Sequence, residues 1–201
     1  MWISIGQRRK PVDYKKIMLE SARKMIERKA FEDITVQMIL DDCKISRSTF
    51  YRYFRDKYDL IGQYYTDYVF SLWKEERCTT WLSYLQCVFA FLKENRKYFL
   101  KVFEISGDNS FWNSLYDYSF DVTKAALLIV EKDTELSKEQ EYSIRNYVVG
   151  QIHISRQWLQ DDCPLPVEKM AEFAYSLTPK NFLDYFAKTS HSEIMDFIEN
   201  M

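Results

Sequence analysis

Glycine is scarce in this chain, with four among 201 residues, at positions 6, 62, 107 and 150. They are too far apart to build a phosphate-cradling loop or a dinucleotide fingerprint. Proline also occurs only four times. With so few turn formers, hairpin-rich β architecture has little to be made from, and no stretch alternates with the two-residue period of a strand. The two histidines, His153 and His191, cannot form the paired-histidine helix of a metalloprotease. The four cysteines (Cys43, Cys78, Cys87, Cys163) never reach C-x-x-C spacing. A disulfide framework or metal cluster is therefore not expected, no cofactor is implied, and a reducing cytoplasm is the simplest compartment.

Long apolar runs are missing too. No stretch approaches the roughly 18 residues of a membrane span, and Met1–Gly6 has neither a charged leader nor an apolar core of signal-peptide length. Enzymatic signatures are thin. Cys163 before Pro164 carries no mark of a nucleophile. Asp41–Asp42, Glu75–Glu76 and Asp161–Asp162 are neighbours that a helix turns in different directions. No catalytic residue is assigned, and the chain is not read as an enzyme.

What is present is 47% hydrophobic and 29% charged residues, as in a globular protein, and 17% aromatics. Charge is uneven: residues 1–60 hold 14 lysines and arginines against 9 acidic residues, and the remainder holds 14 against 21. A basic head on an acidic trunk fits a polyanion-binding segment, although surface variation alone can produce such a split.

Helical periodicity covers nearly everything. After GQRRK (6–10) and Pro11, Asp13 caps a helix from Tyr14 to Lys29 with an apolar stripe of Ile17, Ala22, Met25 and Ile26. Thr35 caps Val36 to Asp42. A break at Cys43-Lys44-Ile45 leads to Ser46, which caps a third helix through about Phe54, and Asp56 opens a fourth. Beyond residue 60 the pattern gives a fifth helix (Trp81, Leu85, Val88, Phe89, Leu92) and a sixth around Tyr98–Ile105. A seventh runs from Phe111 to Ile129. The eighth opens on the Ser137/Gln140 capping box and runs towards Leu159. The ninth holds Met170, Phe173, Ala174 and Leu177, and short helical pieces follow Pro179. The expected fold is all-α: a three-helix N-terminal domain with a helix-turn-helix, then a C-terminal bundle of about six helices.

The most informative stretch is Ile34–Leu60, ITVQMILDDCKISRSTFYRYFRDKYDL. Two short helices on a three- or four-residue turn have helix-turn-helix geometry. The second points Phe50 and Phe54 inward. Outward it shows Arg47, Ser48, Thr49, Tyr51, Arg52 and Tyr53, donors that suit a major groove. Ile45-Ser46, then Thr49-Phe50-Tyr51-Arg52-Tyr53-Phe54, then Lys57-Tyr58-Asp59-Leu60, preceded by Phe31-x-x-Ile34-Thr35-Val36 and Ile39, resemble the signature of the tetracycline-repressor (TetR) family over residues 8–62.

That resemblance implies a DNA-binding transcription regulator that grips a palindromic double-stranded operator as a homodimer, most simply a repressor released by a small ligand. It implies a basic arm at 1–10 (Arg8, Arg9, Lys10), a head at 11–57 and a dimerisation and ligand-binding trunk at 58–201. Thr35 and Lys57 are the implied phosphate contacts; Arg47, Ser48, Thr49, Tyr51 and Tyr53 are the groove-facing set, with Arg52 beside them. Two positions depart from the family pattern: Lys44 and Ala30 stand where glycine is usual. A non-glycine residue in left-handed geometry costs about 1 kcal/mol, and Lys44 in that turn is a further phosphate candidate.

In the trunk, the eighth helix is apolar on two sides. One side with Val148, Ile152 and Leu159, together with Phe173 and Leu177 of the ninth, is the expected dimer face, unless both sides are covered internally. Phe89, Phe103, Trp112, Tyr116, Tyr147, Gln151 and His153 are the candidates to line a pocket for a small apolar or aromatic effector; plain core is the competing role for each. The segment Glu94-Asn95-Arg96-Lys97-Tyr98-Phe99 is similar to a subgroup that includes activators of dihydroxyacetone-kinase operons. Control by a protein partner therefore stays open, as does a helical interaction module without DNA binding.

Overall fold

A computed structural model describes residues 12–74, 78–107 and 110–200. Among these residues there are eleven helices and no strand. The head is built from α1 (Tyr14–Ile26), α2 (Val36–Cys43) and α3 (Arg47–Tyr53). Each starts on the residue its chemistry selects. Asp13, Thr35 and Ser46 accept from the backbone N–H groups of Lys16, Met38 and Thr49 at 3.0, 3.2 and 3.2 Å, satisfying donors that have no partner inside the helix.

α1 buries Met18, Leu19, Ala22 and Ile26. The buried stripe thus lies one position on from Ile17, which is exposed. The helix also stops earlier than its periodicity suggests. Ala30 does not adopt the left-handed conformation a glycine would supply there, so the chain leaves through a turn after Glu27. Lys44 does adopt it, at φ 55° and ψ 43°, closing α2. Relieving that strain outweighs the extra freedom glycine gains when unfolded. Lys44→Gly is therefore expected to stabilise the head by about 0.5 kcal/mol in urea unfolding. A loss of stability instead would mean that the lysine side chain compensates for its own backbone.

Phe50 and Phe54 lie one turn apart, ring centroids 5.4 Å from each other, and are fully buried with Ile34 and Ile39. This aromatic pair locks α3 onto α1 and α2. Ser21 Oγ donates to Asp42 at 2.6 Å and ties the first two helices together.

α4 (Lys57–Lys74) leaves the head and enters the trunk, which adds α5 (Trp81–Glu94), α6 (Arg96–Val102), α7 (Phe111–Glu131), α8 (Lys138–Gln160), α9 (Val167–Ser176), α10 (Lys180–Lys188) and α11 (His191–Glu199). The trunk so has eight helices where about six were expected; the short α10 and α11 account for the excess. They fold back on α7, where Ile194 packs on Ala125 and Ala126. α5 runs along α9, and α7 along α8.

The head is fastened to this body at several points. Lys15 on α1 pairs with Asp67 on α4 at 2.8 Å. The buried Tyr98 hydroxyl of α6 donates to the Ile61 carbonyl at 3.2 Å. Lys101 reaches the Lys29 carbonyl in the turn that follows the head's first helix, also at 3.2 Å. Gly62 lets α4 approach α7 closely: a Cβ there would stand 3.2 Å from Ser114.

Candidate functional site

α3 presents a divided surface. Phe50 is buried, Thr49 and Tyr53 are half-buried, and Arg47, Ser48, Tyr51 and Arg52 are exposed. Ser46 organises the N-terminal turn, its hydroxyl lying 3.0 Å from Ser48 Oγ and 2.9 Å from Thr49 Oγ1. Arg52 is not a bare cation. Its guanidinium lies 5.0 Å from the centroid of the Tyr53 ring and donates to the Tyr53 hydroxyl at 3.3 Å. Arg47 and Tyr51, one turn apart, are therefore the long exposed side chains that lead this face, with Ser48 between them. Thr35 and Lys44 are exposed at the two ends of α2, although the Thr35 hydroxyl already serves as that helix's cap. Arg8, Arg9 and Lys10 lie outside the described residues.

Lys57 has partners that its position in the signature did not reveal. Its ammonium donates to the carbonyls of Phe31 and Ile34 at 2.9 and 2.8 Å, lies 3.4 Å from that of Glu32, and stands 4.4 Å from the Phe31 ring centroid. Three carbonyls occupy its three donors. The α4 N-terminus is capped from within as well, since Asp56 accepts from the N–H groups of Tyr58 and Asp59 at 2.8 Å each. An anion arriving there would meet a carboxylate already in place. The geometry makes Lys57 a staple across the 31–34 turn, which sets up the Thr35 cap.

In the trunk a cavity of about 90 Å³ opens between α4, α5, α7 and α8. That is room for several waters. Of the residues expected to line it, Phe89, Phe103, Tyr147 and Gln151 do so. Trp112, Tyr116 and His153 do not. His153 is exposed on the far side of α8, and Tyr116 accepts from Arg145 at 2.7 Å on the surface. Tyr65, Trp81, Tyr84 and Tyr118 line it and were missed. Tyr84 was within reach of the pattern, lying three residues past Trp81 on the same helical face.

Among the described residues, no acidic or basic side chain reaches the cavity wall. Its phenols are held neutral: burial raises Tyr65, Tyr84 and Tyr118, and lifts Tyr147 to about 12 against the opposing hydrogen bond from Thr178. A more open polar cleft lies between the start of α4 and α7. Part of its polar surface is already engaged, Gln63 donating to Asp59 and to the Tyr53 carbonyl outside the cleft. It offers a ligand less.

The expected dimer face needs the largest correction. Val148, Ile152 and Leu159 are buried within the chain's own core, and Val148 and Ile152 are cavity wall. Both apolar sides of α8 are consumed by packing inside the chain. Among the residues α8 leaves exposed are Tyr142, Asn146, Val149, Gly150 and His153, which share one side of it. Phe173 and Leu177 of the original set are exposed, at 46% and 48%, as is Val149 at 42%. The Gln151 amide of α8 donates to the Ala174 carbonyl of α9 at 3.2 Å and joins the two helices at that point, with Leu177 following the end of α9.

Among the described residues, no helix is long and apolar enough to cross a membrane. Two family models match the chain: that of the bacterial regulatory proteins of the tetR family over residues 18–64, and that of a transcriptional regulator C-terminal region over residues 79–180. Among solved structures, the dihydroxyacetone kinase operon activator DhaS is similar at 21% identity and a TM-score of 0.57, covering 86% of this chain and 95% of that one. A tetR-family transcriptional regulator from Streptomyces coelicolor is similar at 17% identity and a TM-score of 0.51, covering 92% and 86%. No curated protein sequence matches.

Proposed function

Because the chain belongs to the tetR family of DNA-binding transcription regulators, we propose that it grips a palindromic operator as a cytoplasmic homodimer and is released from it by a small uncharged aromatic or apolar ligand. The observation that carries the DNA half is the α3 surface, where Arg47, Ser48, Tyr51 and Arg52 are exposed on a helix whose opposite side is pinned by Phe50 and Phe54. Arg47 and Tyr51 read base edges; Ser48 and Thr49 support them. Thr35, Lys44 and the arm residues Arg8, Arg9 and Lys10 meet phosphates, which position the head without reading sequence. Lys57 acts through the fold rather than on DNA. Val149, Phe173 and Leu177 form the centre of the dimer contact, in place of the buried residues of α8.

Titration of the chain's own upstream region in a gel shift is the direct test, with binding that weakens as salt rises. Arg47→Ala is expected to cost about 1–3 kcal/mol at one base position per half-site and to relax preference there. Equal loss on specific and random DNA would place Arg47 on the backbone instead.

The ligand half rests on the cavity. An uncharged wall of aromatic and aliphatic side chains, with neutral phenols, Gln151 and the hydroxyls of Ser119, Thr123 and Ser155 as the polar groups, favours an uncharged guest with a few hydrogen-bonding atoms. α4 begins in the head at Lys57 and carries Tyr65 in the cavity wall, so a guest that moves Tyr65 acts on the helix whose Gln63 donates to the Tyr53 carbonyl at the end of α3. Release follows only if the guest prefers the arrangement that fits DNA poorly; a 100-fold preference corresponds to about 2.7 kcal/mol. Screening uncharged aromatics for operator release together with thermal stabilisation of the DNA-free protein checks this. If no compound does both, control by a protein partner takes its place, and the likeness to the operon activator DhaS leaves activation as the alternative sign. Measuring a reporter with and without the chain gives the sign.

A further inference from the structure

Cys78 and Cys87 are nine residues apart in sequence and in contact in space. The Cys78 thiol donates to the Cys87 sulfur with the two Sγ atoms 3.2 Å apart. Neither is in a disulfide. Cys78 is buried in the short non-helical stretch before α5, and Cys87 is half-buried in the second turn of that helix. The approach is held from both sides. The N–H groups of Thr79 and Thr80 both donate to Ser83 Oγ, at 3.2 and 3.0 Å, folding the stretch back onto the helix. The Cys87 carbonyl accepts from the Tyr68 hydroxyl of α4 at 3.4 Å.

We propose that Cys78 and Cys87 are a reversible thiol–disulfide site that reacts with hydroperoxides. Cys87, the more exposed of the two, attacks first. Its thiolate sulfur bonds to one peroxide oxygen and the O–O bond breaks; hydroxide leaves and takes up a proton as water. The Cys78 sulfur then attacks the resulting sulfenic acid. The S–S bond forms, the S–O bond breaks, and a second water departs. Two thiols are oxidised and one peroxide is reduced to two waters. The sulfurs need only close from 3.2 Å to the roughly 2.05 Å of a disulfide, and Cys78 is free of helical constraint to make that move.

Cys78 also donates to the Ser83 carbonyl at 3.7 Å, as Cys43 does to that of Ile17; what sets the 78–87 pair apart is the short contact between its two sulfurs. A bridge at 78–87 clamps the first turns of α5, which carry Trp81, Tyr84, Leu85 and Val88 into the cavity wall. The oxidation state of the pair thus bears on the same wall that a ligand would touch.

The test is treatment of the full-length reduced protein with limiting hydrogen peroxide, followed by intact mass and peptide mapping. The expected result is loss of two hydrogens, disappearance of two alkylatable thiols, one cross-linked peptide joining Cys78 to Cys87, and full reversal by dithiothreitol. Cys78→Ser should leave Cys87 as a sulfenic acid that dimedone captures, with circular dichroism confirming the fold. Oxygen addition at Cys87 while Cys78 stays alkylatable in the native protein would overturn the proposal. So would oxidation that begins at Cys43 or Cys163, or cross-links that join separate chains.

Discussion

Val149→Glu combined with Phe173→Glu is expected to yield a folded monomer that no longer holds its operator. Both side chains are nearly half exposed in the single chain, so replacing them removes little packing and leaves no buried charge. In a two-fold contact each substitution appears twice, which sets four carboxylates against one another in a face that must be desolvated. Losing the second half-site removes the added recognition that separates specific from non-specific binding, so operator affinity should fall on the order of 10³-fold or more. Light scattering reads the mass, gel shift the affinity, and circular dichroism an unchanged melting temperature. Ile152→Asp makes the contrast. Ile152 is 4% exposed in the cavity wall, and an unpaired carboxylate there should unfold the trunk rather than merely separate two copies. If the double glutamate variant stays dimeric, the α8–α9 face is not the contact.

That contrast also marks how far the sequence could be read. The head was legible because each of its helices carries local information. Asp13, Thr35 and Ser46 announce the starts, Phe50 and Phe54 announce the inner face, and the spacing from Ile45 to Leu60 resembles the tetR-family signature. The trunk carries less of this. α8 is apolar on two sides, and sequence alone cannot say whether the second side meets another copy or the same chain. The answer depends on how α5, α6 and α7 pack against α8, which only the folded chain shows. His153 looked like a polar anchor among aromatics, yet it falls on the outer stripe with Val149. A one-residue error in the α1 stripe, Ile17 for Met18, arose because neighbours on a helical wheel differ by only about 100°. Lys57 is open to a second reading for a different reason. A lysine at a helix start is a reasonable anion site, but only the folded 31–34 turn shows that carbonyls have taken its donors.

Lys57→Ala is expected to weaken the head itself, and operator binding through it. The substitution deletes a cation that donates to Phe31 and Ile34 and covers the Phe31 ring. A hydrogen bond involving a charged group contributes about 1.5–3 kcal/mol, and cation–π contact adds about 0.5–1 kcal/mol more at a partly exposed site. Water can replace part of this because the side chain is only half-buried, so a net loss of about 2 kcal/mol is the expected size. The 31–34 turn delivers Thr35 to the start of α2, and loosening it should displace the cap and with it the angle between α2 and α3. Operator affinity then falls without any phosphate contact being lost. Salt dependence separates the two accounts. If Lys57 neutralised a phosphate in each half of a dimer, the slope of log affinity against log salt would drop by about 1.8 in Lys57→Ala. The staple leaves the slope unchanged while lowering affinity and the urea midpoint together. Lys57→Arg sharpens the distinction, because a guanidinium keeps the charge for a phosphate but is too broad to place its donors where a compact ammonium reaches three carbonyls. The expected result is that arginine fails to restore the urea midpoint. A stable Lys57→Arg head with full operator affinity, alongside a flattened slope in Lys57→Ala, would return Lys57 to the DNA.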